Sequence, residues 1–211
     1  ILNMAKITSL LLQEKNKNRC NIYIDGEFFR GVSIDIAYKY RLKEGLEVST
    51  EKLNRLVNEA EENEALGKAI EYLSKYFKTK KQLKDYLVKK GYSVELAYKV
   101  IDKLKEYNYI NDVKFSMQYI ESTSKSSGKK LIEYKLMSKG VKKEDIEKAY
   151  QNVVVNSKEN ALALAVKHIK NKEKTQENIQ KTYRYLIGKG FSYEDAVYAV
   201  SQLKQDDIEE Y

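Results

Sequence analysis

The sequence predicts a mainly α protein built of tandem three-helix repeats, three modules in all, with a small N-terminal β-hairpin or sheet. Three observations predict it. The segment YLVKKGYSVELAYKVIDKL, Tyr86–Leu104, returns as KLMSKGVKKEDIEKAYQNV, Lys135–Val153, and again as YLIGKGFSYEDAVYAVSQL, Tyr185–Leu203, 49 and then 50 residues on. Self-similarity at such a period marks an array of one helical unit rather than a single central core. The 211 residues include no proline and 9 glycines, so little interrupts helices. Near the N-terminus, Asn21, Tyr23 and Asp25 alternate with Ile22 and Ile24, and Asp25-Gly26 is a hairpin signal.

Ala5–Gln13, Arg19–Asp25 and Glu27–Ser33 read as three short strands, the first two joined by the polar turn EKNKN. A sheet this small is not stable alone. It is expected to dock on the helix SIDIAYKYRLKEG, which places Ile34, Ala37, Tyr38 and Leu42 on one face and ends at Gly45. A second helix follows Thr50, with Leu53, Leu56, Val57 and Ala60 in one stripe.

Each repeat then has a leading helix before the aligned pair: Ala65–Phe77, a helix opening at Asn111 or Asp112, and Ser157–Ile169. Thr79 and Gln82 form a capping box for the helix that runs to Lys90. Lys-Gly at 90–91, 139–140 and 189–190 supplies a cation against the negative helix end and a residue suited to the left-handed conformation. Ser93 and Ser192 can cap the next helix, whereas the middle copy has Lys142 and a weaker start. Ala97, Val100, Ile101 and Leu104 then share a face, as do Ile146, Ala149, Tyr150 and Val153, and Ala196, Ala199, Val200 and Leu203. The expected division is 1–64 for the hairpin and two helices, then repeats at 65–110, 111–156 and 157–211. The acidic tip, Asp206, Asp207, Glu209 and Glu210, reads as solvated, and Met4 as a candidate natural start.

The composition is 42% hydrophobic and 33% charged, with a net charge of +8 and a pI near 9.1. That balance suits a polyanionic partner. The stretch from Glu47 to Ala65 is acidic, and the next, Leu66 to Lys105, sets eleven Lys against Glu71, Asp85, Glu95 and Asp102. Most of the excess charge therefore lies on the first repeat. Lys78, Lys80, Lys81, Lys84, Lys89 and Lys90 bracket one helix, a contact surface set against the commoner reading of a solvated exterior. Lys125, Lys129 and Lys130 fall in the Ser-rich segment STSKSSGKK, read as a flexible loop. Tyr72, Tyr76, Tyr92, Tyr107 and Tyr109 fall at core spacing and read as packing residues rather than base-stacking platforms.

Catalysis is the weakest class. There is no Gly-rich phosphate loop, no Cys/His metal set and no promising carboxylate pair, so neither a cofactor nor a metal is expected. Cys20 reads as core filler in a reducing compartment and His168 as a packed ring. No apolar run is long enough for a membrane span and no signal peptide is visible, so the cytoplasm is the expected location.

A helix reading AIEYLSKYFKTKKQLKDYLVKKGY, then a helix and NYINDVKFSMQYI, then a glycine before a basic pair and KLMSKGV, resembles the RecX family of regulators of the RecA recombinase. The resemblance runs from Lys6 to Leu203. Tyr72, Leu73 and Ser74 match the first helix, Leu83 and Leu87 the second, and Lys90-Gly91-Tyr92 the turn. Asn111, Asp112, Phe115 and Tyr119 match the opening of the second module, and Gly128, Ile132 and Leu136 its next helix. Where the family commonly has Arg, this chain has Lys75 to Lys78 after YLS, and Lys129, Lys130 and Leu131 after the glycine. Lys keeps the charge without the planar fork that grips phosphate bidentately.

The resemblance implies three three-helix modules, no catalysis, and binding along the RecA filament on single-stranded DNA, usually restraining the recombinase; some members bind DNA themselves. The filament- or DNA-binding residues expected here are Lys75, Lys78, Lys80, Lys81, Lys84, Lys89, Lys90, Lys125, Lys129 and Lys130. A monomer is the expected state. The alternatives are a freestanding DNA-binding protein of stacked helical modules and a non-enzymatic protein-binding scaffold.

Overall fold

The computed structural model describes residues 4–205. The acidic tip and the residues before Met4 lie outside them. The chain packs as two compact units, one of residues 4–76 and 83–109, the other of residues 77–82 and those from 110 onward.

In the first unit, β1 (Met4–Leu12), β2 (Arg19–Ile24), β3 (Glu27–Ser33) and β4 (Glu47–Ser49) form an antiparallel sheet in the order β3-β2-β1-β4. The hairpin between β2 and β3 turns at Asp25 and Gly26, both at positive φ, 51° and 88°. Two positive values are what a tight hairpin matched to the strand twist requires. Three strands were expected and four are present. β4 is only three residues long and is held by Met4↔Ser49, Ala5↔Val48 and Lys6↔Glu47, so its signal lies in the partner and not in its own pattern.

Helix α1 covers Ile34–Lys39, capped by Ser33, and stops well before Gly45. Arg41 takes the left-handed conformation at φ 51°. Its amide bonds to Tyr38 and that of Leu42 to Ala37, closing a Schellman turn around a non-glycine residue. Helix α2 runs unbroken from Thr50 to Lys75. The expected N-terminal and leading helices are therefore one, because buried residues continue without a gap across the expected boundary, from Leu53, Val57 and Ala60 through Glu61 to Ala65 and Ala69, and nothing caps a new start. The core of this end joins Ile7, Ile22 and Val32 of the sheet to Ile36 of α1 and to Leu53 and Val57 of α2. Glu61 of α2 lies inside with 6% exposure, bound by Arg19 and Arg30 at 2.8 Å each.

Three more strings of helices follow a common plan. α3 (Lys80–Lys89) leads to α4 (Val94–Glu106); α5 (Asp112–Thr123), α6 (Lys129–Ser138) and α7 (Lys143–Gln151) form the next group; α8 (Ser157–Ile169), α9 (Gln176–Gly188) and α10 (Tyr193–Gln205) the last. The last two groups have separate cores, one around Ile120, Ile132, Leu136 and Ile146, the other around Ala165, Leu186, Phe191 and Ala199. Gly91, Gly140 and Gly190 are left-handed, at φ 96°, 84° and 84°. Each sits in the same Schellman turn: Tyr92 bonds back to Leu87, Val141 to Leu136 and Phe191 to Leu186. In each pair both side chains are buried, the apolar contact that accompanies the motif. Ser93 and Ser192 cap the following helices, and Lys142 makes no side-chain cap. Thr79 and Gln82 exchange the two bonds of a capping box, at 3.2 and 3.0 Å.

Candidate functional site

Four of the expected lysines belong to the first unit. Lys75 pairs with Glu71 at 3.2 Å and Lys84 with Asp85 at 2.9 Å, which raises the Lys84 ammonium above its ordinary pKa. Lys89 and Lys90 are exposed at the end of α3, with Lys90 over the Tyr86 ring. The last two line a polar cleft of roughly 740 Å³. Its other cations are Lys15, from the β1–β2 turn, Arg19 and Lys68. The cleft exists because the β1–β2 turn packs over the Gly91 turn, where a Cβ would come within 2.9 Å of Arg19 Cδ.

Not all of this charge is available. Arg19 is committed to Glu61 and to the Gly31 carbonyl, and Lys68 to Glu64. Burial alone would raise the Glu64 carboxyl, but the bonds from Lys68 and Ser33 outweigh it and hold the group below the usual carboxylate range. Lys99 and Lys103 both face Glu62, whose carboxyl is lowered chiefly by Lys99. The acidic half of α2 thus neutralises much of the first repeat's basic excess. Lys15, Lys89 and Lys90 make no ion pair among the described residues and outnumber Asp35, the other carboxylate of the lining beside Glu64.

The other six belong to the second unit. Lys80 and Lys81 open α3 after Thr79, and Lys129 and Lys130 open α6 after Gly128. The two pairs are equivalent, since the repeat that superposes Leu87 on Leu136 also superposes Lys80-Lys81 on Lys129-Lys130. Both are seated alike. The Thr79 hydroxyl donates to the Lys139 carbonyl at 2.7 Å, and the Gly128 amide donates to the Lys189 carbonyl at 2.9 Å. Each pair therefore lies against the glycine turn of the following repeat.

These starts break a local rule. The positive end of a helix favours anions, and each other helix carries Asp or Glu in its first turn. α3 and α6 carry none, and place two lysines there instead. Asp112 compensates part of this at α3: its carboxylate, 4% exposed, accepts from the Lys80 amide at 3.0 Å. Burial raises the Asp112 pKa, against the lowering effect of Lys80. Lys129 reaches Glu133 at 3.8 Å and lies over the Tyr150 ring. Lys81 and Lys130 are exposed with no ion pair among the described residues.

The flexible loop expected around Lys125 is short. α5 runs to Thr123, Lys129 and Lys130 are helical, and Ser124 and Ser127 of the intervening turn are buried. Only Lys125 stands on it. Lys78, half-buried, lies between α2 and α3. The tyrosine reading needs correction at three positions: Tyr72 is stacked on Tyr86 and Tyr92 is buried, but Tyr76, Tyr107 and Tyr109 are 73%, 67% and 60% exposed. They fall at helix ends, where helical spacing no longer fixes a face. Lys15, Arg19 and Lys68 were missed because their neighbours in the cleft are distant in sequence. Cys20 is buried, and His168 packs on Tyr185 with Nδ1 3.0 Å from the Thr182 hydroxyl. Among the described residues no His, Cys, Asp and Glu cluster is placed to hold a metal, and no helix is long and apolar enough to cross a membrane.

Comparison with known proteins agrees with this architecture. Residues 5–49 match the regulatory protein RecX N-terminal domain, 65–104 the RecX first three-helix domain, and 157–200 the RecX third three-helix domain. Regulatory protein RecX of Clostridium botulinum strain Alaska E43 is 38% identical over 90% of this chain and 92% of its own. That of Clostridium beijerinckii is 34% identical over 99% and 100%. A crystal structure of regulatory protein RecX shares the fold with a TM-score of 0.64 and 24% identity, over 92% of this chain and 98% of its own. With relatives this similar along nearly its whole length, the chain belongs to the RecX family of regulatory proteins.

Proposed function

We propose that this protein binds the RecA filament on single-stranded DNA and restrains its strand exchange and ATP hydrolysis. The family membership supports RecA as the partner. The observation that carries the reading is the repeated Lys-Lys pair at the start of α3 and of α6. Four cations placed against two helix dipoles cost stability, by roughly 0.3–1 kcal/mol each where exposed. Departures from local consistency of this kind concentrate at functional sites. A pair repeated at the period of the fold suits a partner that is itself periodic and polyanionic. Lys75, Lys78, Lys84, Lys89, Lys90 and Lys125 add to the attraction.

The test is Lys81→Glu with Lys130→Glu, two exposed positions. Glutamate is favoured in a first helical turn, so the double variant should melt at or slightly above the wild-type temperature. At the same time it should need at least tenfold more protein to slow the RecA ATPase on single-stranded DNA, and wild-type binding should weaken steeply with salt. A stable variant that inhibits at wild-type concentrations removes these pairs from the mechanism. A second reading, direct DNA binding, is favoured by the cleft with Lys15, Lys89 and Lys90. Sedimentation with single-stranded DNA alone, RecA alone and the nucleotide-bound filament separates the two, since only the second reading predicts equal retention by bare DNA.

A further inference from the structure

The N-terminal sheet has an unfinished edge. On one side β1 pairs with β2 along Ile7–Leu12, but on the other β4 covers only Met4–Lys6, and the Gly45 and Leu46 backbone extends this cover to Ile7. Ser9–Leu12 has a strand on one side alone. The Gln13 amide bonds to Arg19 on β2. Backbone groups alternate along an antiparallel strand, so Leu11 also faces β2 while Leu10 and Leu12 turn theirs to the open side. Exposed edges are normally blunted by charge, proline or a covering segment. This one carries Leu11 and Leu12, 53% and 60% exposed.

The open edge adjoins an apolar cleft of about 1000 Å³. Leu10 and Leu12 form one wall, and Ile34, Tyr38, Leu42 and Leu46 are among the other apolar residues that line it. Tyr38 is 86% exposed although it sits in a helix packed on the sheet. The left-handed Arg41 bends the chain around the cleft and ends α1 there. Three cations, Lys39, Arg41 and Lys43, also line it, and no carboxylate does; Glu44 of the same turn is not among the lining residues.

From the coincidence of open edge, apolar cleft and unopposed cations, we infer that β1 accepts an extended acidic-apolar peptide of a partner protein as an added strand. Leu10 and Leu12 would each exchange backbone bonds with it, and alternate apolar side chains of the peptide would enter the cleft. Its acidic side chains would meet Lys39, Arg41 and Lys43. The open stretch, four residues at about 3.4 Å each, suits a segment of roughly five or six residues. A second copy of this chain fits less well, because pairing two β1 edges would bring two sets of these cations together. Nucleic acid offers no row of backbone donors and acceptors in strand register.

The probe is a blocked, fluorescein-labelled eight-residue peptide alternating valine and glutamate, titrated into the full chain. Binding is expected, with slowed hydrogen exchange at the Leu10 and Leu12 amides. Lysine in place of glutamate, or N-methylation of alternate residues, should weaken it at least tenfold. The variant Leu12→Asp and, separately, the triple variant Lys39→Glu, Arg41→Glu, Lys43→Glu should do the same; all four positions are exposed and the fold is checked by thermal melting. Absence of binding to the wild type, or binding by either variant as tight as the wild type's, overturns the proposal. So does protection of the same amides that rises with protein concentration without peptide, which assigns the edge to a second copy. Displacement of the peptide by a thymidine dodecamer with matching protection assigns the cleft to nucleic acid instead.

Discussion

The turns after α3 and after α9 share one backbone motif and differ in what is seated on them. At Gly190 the neighbour is backbone: an added Cβ would lie 2.5 Å from the Leu131 amide nitrogen, and one on Gly128 would overlap the Phe191 nitrogen and the Gly190 carbonyl. At Gly91 the neighbours are side chains, Arg19 and Asn16. The first arrangement closes the joint and leaves no room for a ligand. The second leaves the polar cleft lined by Lys15, Lys89 and Lys90. The Gly140 turn falls between them, packed so closely against the aliphatic stem of Lys81 that a Cβ on the glycine would overlap it. One repeat motif can therefore serve as a structural joint or as the wall of a site, according to whether main chain or side chain covers it.

The sharpest way to break the contrast is Gly128→Ala. The overlap is with the Gly190 and Phe191 main chain on one side and an α6 start on the other, so no rotamer change relieves it. We expect a loss of more than about 4 kcal/mol, in the range reserved for severe core disruption. Urea unfolding of the full chain measures it. A midpoint close to wild type would mean that α6 and the Gly190 turn can separate cheaply, and the distinction between a closed and an open joint would not hold.

Next in size is Glu61→Ala, which attacks the open joint through the residue that holds Arg19 in place. Removing the carboxylate leaves Arg19 and Arg30 without their partner, with Arg19 nearly buried, at a cost of about 3–5 kcal/mol. Glu61→Gln keeps the shape and an acceptor, so it should recover part of the stability. Equal losses in the two variants would show that packing and not charge matters at that position.

The sequence made the repeats legible because their signals are local. Lys-Gly turns, the Ser93 and Ser192 caps, and the faces from Ala97 to Leu104 and from Ala196 to Leu203 each rest on residues within a few positions of one another. What escaped it depends on distant neighbours. β4 exists through Met4–Lys6, Glu61 is buried through Arg19 and Arg30, and Gly128 is needed because of Gly190. α1 ended early because Arg41 took a conformation usually left to glycine or asparagine. For the candidate site, the lysines were visible as charge but not as geometry. The equivalence of Lys80-Lys81 with Lys129-Lys130 was present in the repeat, yet only the seating of both pairs on glycine turns gives it meaning.

The smallest expected effect is a pH dependence in the group that contains the closed joint. His168 of α8 stacks on Tyr185 of α9, 4.2 Å between ring centroids, and faces the Thr182 hydroxyl. Burial, and secondarily the Lys172 ammonium, hold its pKa below the ordinary value of 6.5. The unfolded chain therefore binds the proton more readily than the folded one. The stabilising contribution of the neutral ring is present above about pH 6.5 and is lost as the pH falls from there through the lower pKa of the folded state. The chain has a single histidine; Glu62, Glu64 and Glu177 are held below the usual carboxylate range, while burial raises the Asp112 carboxyl, so the His168 contribution is read as the difference between the wild type and a variant that lacks the ring. The urea midpoint should fall between about pH 7.5 and about pH 5.5 in the wild type, and His168→Gln, which keeps a polar group towards Thr182, should flatten the curve. A midpoint that still fell by the same amount in His168→Gln would place the titrating group elsewhere.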